Sequence, residues 1–76
     1  MRTIEEILQD IRPEFDFTTS EDFIADGMLD SFDIVTLISD LDKAYGVSID
    51  GIDILPENVQ NVAAIRALLR RYGVTA

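Results

Sequence analysis

The sequence predicts an all-α fold: a small four-helix bundle of three longer helices and one short one, with a long first loop. Apolar residues recur at spacings of three and four in three separate stretches, which is the pattern of amphipathic helices. Each stretch is bracketed by residues that start and stop helices. The one short alternating stretch, around Ile52 and Ile54, has no second stretch to pair with as a strand. Seventy-six residues make one domain, 1–76, with a modest core. The helices are expected at about 3–12, 31–45, 51–55 and 62–72.

The first helix is announced by Thr3 and Glu6, a T-x-x-E capping box, with Ile4, Ile7, Leu8 and Ile11 repeating behind it. Pro13 disfavours helical geometry at Arg12, so the helix should finish there, with Arg12 in the last turn where a cation suits the dipole. From Glu14 to Asp30 runs a connection long enough to need pinning. Phe15, Phe17, Phe23, Ile24 and Leu29 can pin it, with Phe23 and Leu29 as core plugs and Gly27 permitting the turn before the next helix.

That next helix carries Ile34, Leu37, Ile38, Leu41 and Tyr45 along one face. Asp30 is its N-cap, Asp33 the second half of a capping box, and Gly46 its stop. Ser31 therefore sits in the first helical turn, where backbone N–H groups lack intrahelical partners and the dipole leaves partial positive charge. Val47 and Ile49 tuck the chain back, and residues 51–55 read as a short helical turn ending before Pro56. Asn61 caps the last helix, whose face is Val62, Ile65, Leu68, Leu69 and Tyr72, and Gly73 ends it.

Asp26-Gly27-Met28-Leu29-Asp30-Ser31-Phe32, followed by Ile34-Val35 and Leu37, resembles the modification site of acyl and peptidyl carrier proteins. The likeness extends over nearly the whole chain. It implies a phosphopantetheine-binding carrier in which Ser31 bears covalent 4′-phosphopantetheine, flanked by Asp30 and Phe32 of the motif. A transferase would deliver the group from coenzyme A. Acyl or aminoacyl cargo would then travel as a thioester, as in fatty-acid, polyketide or nonribosomal peptide biosynthesis. Phe32 stands where leucine is commoner, a variant also found in D-alanyl and other specialised carriers.

Composition agrees with a shuttle that is not itself an enzyme. The chain has no histidine to activate a serine and no cysteine for thiolate chemistry or disulfides. Its formal charge is −9, and eleven acids lie between Glu14 and Asp53 against the single base Lys43. Such a surface disfavours nucleic acid and anionic membranes and favours basic partners. The longest strictly apolar run, Val62 to Ile65, is far short of a membrane span, and a cytoplasmic monomer is expected.

Partner docking is expected on the exposed side of the second helix. Asp33, Thr36, Asp40 and Lys43 fall opposite the core stripe, with Phe32, Val35 and Ser39 adjoining. Val35 suits either surface contact or core packing. The resemblance adds Asp33 and Asp42 as acidic contacts for a phosphopantetheinyl transferase and for loading or synthase enzymes with basic surfaces.

Two readings without a prosthetic group stand beside this one. The chain could be an acidic helical adaptor. It could also hold calcium, because Asp22, Asp26, Gly27, Leu29, Asp30 and Asp33 match positions of an EF-hand loop, although Ile24 falls where an oxygen ligand is needed.

Overall fold

A computed structural model describes residues 2–75 of the chain. Its helices are α1 (Ile4–Ile11), α2 (Ser31–Tyr45), α3 (Pro56–Val59) and α4 (Val62–Arg71), with a single 3₁₀ turn at Gly51–Asp53. Among the described residues there is no strand. Three helices exceed two turns and one is a single turn, so the expected helical bundle is observed. α1 packs against both α2 and α4, and α3 lies against α4.

The core is the sum of the predicted stripes. Ile4, Ile7 and Leu8 of α1 meet Leu37, Ile38 and Leu41 of α2 and Ile65, Leu68 and Leu69 of α4, all buried. Burying one such side chain contributes about 1.5–3 kcal/mol, which makes these nine positions the main source of stability. Ile34, Tyr45, Val62 and Tyr72, at the edges of the same stripes, are only half-buried.

The long connection is held as a layer over this core. Phe17, Phe23, Met28 and Leu29 are buried, and the Phe17 and Phe23 rings meet edge to face with centroids 5.0 Å apart. Backbone polar groups in such a layer need partners. The Phe23 N–H donates to the Gln60 carbonyl at 2.6 Å, and the Asn61 amide donates to the Glu21 carbonyl at 3.1 Å. The loop is thereby stitched to the start of α4, which sequence spacing did not reveal.

Two local expectations are corrected. The short helix lies at Pro56–Val59 and not at 51–55. Pro56 is its first helical residue, where the missing N–H costs nothing, so this proline begins a helix instead of following one. Residues 51–53 form the 3₁₀ turn, capped by Asp50, whose carboxylate accepts the Ile52 N–H at 3.2 Å. Arg12, in turn, is not in the last turn of α1. It follows the helix with φ −135° and ψ 78°, and its side chain leaves the helix for another element.

Candidate functional site

The start of α2 is built from both sides. Upstream, Gly27 turns the chain at φ 72°, a left-handed conformation that other residues rarely adopt. Met28 and Leu29 then drop into the core, and both donate backbone N–H groups to the Phe23 carbonyl, at 2.8 and 3.2 Å. Asp30 is extended and closes a reciprocal capping box: its Oδ1 accepts the Asp33 N–H at 2.8 Å, and Asp33 Oδ2 accepts the Asp30 N–H at 3.2 Å. Downstream, Leu37 and Ile38 bury the helix.

Between these anchors Ser31 occupies the first helical position with its side chain exposed. Its hydroxyl has no hydrogen-bond partner among the described residues. Phe32 beside it is 81% exposed. Chemically the arrangement offers an accessible hydroxyl at the positive end of a four-turn helix, with no base among the described residues hydrogen-bonded to it.

The electrostatics differ from what an acidic stretch suggests. Arg12 donates from Nε to Asp33 Oδ2 at 2.9 Å and from Nη1 to Glu14 at 3.1 Å, and its guanidinium lies 5.5 Å from the centre of the Phe15 ring. The Asp33 N–H holds the Asp30 carboxyl below its ordinary pKa, and the Arg12 charge acts in the same direction. Asp33, expected to be exposed for docking, has a side chain only 17% exposed and is engaged twice. An Asp33→Lys substitution would therefore face Arg12 and open the capping box, so it cannot be neutral for the fold.

The other expected docking residues divide in two. Val35 is 67% exposed, which assigns it to the surface; Thr36 and Ser39 are also exposed. The Thr36 hydroxyl donates back to the Phe32 carbonyl at 3.2 Å. Asp40 is half-buried, and Asp42 accepts the Ile49 N–H at 3.1 Å, so it serves the turn after α2. Ile52, 78% exposed, and Leu55, 42% exposed, are outward-facing apolar residues that sequence reading gave no role. Residues two apart share a face in a strand but point to nearly opposite sides of a helical turn, and the turn here leaves Ile52 outward and Ile54 half-buried.

The carboxylates matched to an EF-hand loop do not converge. Asp22 Oδ1 accepts the Ile24 and Ala25 N–H groups, Asp26 accepts from the Ser20 hydroxyl, and Asp30 and Asp33 form the helix cap. Among the described residues no group of three or more acids, histidines or cysteines is placed to hold a metal ion. Likewise, no helix among them is long and apolar enough to cross a membrane.

A cavity of about 260 Å³ lies at the far end of α2, lined by Arg2, Thr3, Ile4, Glu5, Tyr45, Arg66 and Thr75. Tyr45 is fourteen residues from Ser31, about 20 Å along the helix, so the cavity takes no part in the Ser31 site. Comparison with protein-family models, with curated proteins and with solved structures finds no match to this chain.

Proposed function

We propose that this protein is a carrier whose Ser31 hydroxyl is the attachment point for 4′-phosphopantetheine, and that it presents acyl or aminoacyl cargo to partner enzymes. The observation that supports this reading most is an exposed hydroxyl at the first position of α2, inside Asp30-Ser31-Phe32, with no hydrogen-bond partner among the described residues. The group would supply the thiol that this cysteine-free chain lacks.

The chain's own part is to hold Ser31 in place and leave it open. Its hydroxyl would be the nucleophile, and the base and metal for its modification would come from the transferase, since no histidine is present. The partial positive charge at the start of α2 would partly offset the negative charge of a phosphodiester there, against the repulsion of Asp30. Phe32 and Val35 would lie against the visiting enzyme, while the net charge of −9 speeds encounter with basic surfaces.

The test is intact-protein mass spectrometry after incubation with coenzyme A and a phosphopantetheinyl transferase. The expected result is the gain of one phosphopantetheine, absent in Ser31→Ala. An unshifted parental mass with several promiscuous transferases would remove the carrier reading and favour an adaptor without a prosthetic group.

A further inference from the structure

We infer that Arg12, nineteen positions before Ser31 in the sequence, is a positioning residue for the modification of that serine, acting through Asp33; the inference rests on the attachment reading above. One oxygen joins the parts. Asp33 Oδ2 accepts both the Arg12 Nε–H, at 2.9 Å, and the Asp30 backbone N–H, at 3.2 Å. The carboxylate that closes the cap of α2 is thus oriented by a side chain from the end of α1. The guanidinium is itself held by Glu14 and set against the Phe15 ring, so it is fixed before it reaches Asp33.

Buried Met28 and Leu29 anchor the chain just before the cap, but the first two helical residues of α2 add no packing of their own, and a brace on the cap makes up for that. α1 anchors its first helical residue, Ile4, in the core, whereas α2 begins with the exposed pair Ser31 and Phe32. Helix ends fray when only their own backbone holds them. An enzyme that must meet a hydroxyl within a fraction of an ångström loses rate steeply when the hydroxyl wanders. Arg12 ties the cap to a second helix while leaving the serine uncovered. It is not a catalytic residue, because nothing places it against the reacting oxygen.

The test combines transferase kinetics, at varied carrier concentration, with amide hydrogen exchange on the full chain. Arg12→Gln is expected to lower kcat/KM for the carrier about tenfold, and to speed exchange of the Asp30 amide without speeding that of Leu41. Asp33→Asn should do the same, and the double variant should be no slower than Asp33→Asn alone, because both act on one oxygen. Arg12→Lys, which keeps the charge, should recover part of the loss, and it stands in if the glutamine variant does not fold. Loading of folded Arg12→Gln at the parental rate, or multiplicative losses in the double variant, would overturn the brace and leave the carrier reading intact. Failure of the parent to be loaded would sink the carrier reading and this inference together, with the exchange measurement then judging the brace as a structural feature only.

Discussion

α1 and α2 begin with the same device and put it to opposite use. In each, the N-cap side chain accepts the N–H of the third helical residue, and that residue's carboxylate accepts the N–H of the cap: Thr3 with Glu6, Asp30 with Asp33. At α1 the first helical residue, Ile4, is 2% exposed and an exposed carboxylate, Glu5, follows it. At α2 an exposed serine comes first, and a phenylalanine 81% exposed follows. The polarity of the first turn is inverted. A large apolar side chain left in water contributes nothing to stability through burial, so the Phe32 ring adds no stability at the start of α2 in that way.

The contrast is broken most directly by truncating the first helical residues. Ile4→Ala should cost about 2–5 kcal/mol, while Ser31→Ala should lie within about 0.5 kcal/mol of the parent; denaturant midpoints compare them. Comparable losses at both positions would mean that Ser31 is part of the core structure after all. Next in size is Asp33→Lys, which opens the α2 cap and sets a second cation against Arg12. It should destabilise by about 1–3 kcal/mol, and slow loading in such a variant would then report misfolding as well as lost docking.

Removing only the cap sharpens the comparison. Thr3→Ala and Asp30→Ala should each cost about 0.5–2 kcal/mol. Phe32→Ser should leave the denaturant midpoint unchanged within about 0.5 kcal/mol yet slow loading, which separates its contact role from folding. Parental loading by that variant would show that the exposed ring is not read by the transferase.

The smallest effect is on acid stability. Hydrogen bonds from Thr3 lower the Glu6 pKa from 4.5, and the Asp33 N–H lowers that of Asp30 from 3.8. Because both folded values are depressed, each carboxylate contributes stability that is complete above those ordinary values and lost as pH falls through the lower folded ones. Asp30→Asn keeps a capping oxygen and removes the charge, so its midpoint should fall less steeply with acid than the parent's. Identical acid limbs would show that the Asp30 charge adds nothing to the cap.

Much of this was legible locally. Thr3, Asp30 and Asn61 were readable as caps because a cap is a bond between residues three apart, and the residue types alone suggest it. The stripes of α1, α2 and α4 were readable because helical periodicity is one-dimensional. Pro56 misled because a proline can stop one helix or begin another, and the choice depends on whether the following residues find a surface to pack on. Val59, fully buried beside α4, is that surface contact.

By itself the sequence determined the three long helices, their caps, the acidic charge and the place of Ser31 at the head of α2, since each depends on neighbours within one or two turns. Only the tertiary structure decided that Asp33 faces Arg12 and that Val35 and Ile52 face outward. It also decided that the long loop is stitched to the start of α4. These outcomes join residues about twenty to forty positions apart or depend on which side of an element the core falls, and no local pattern encodes either.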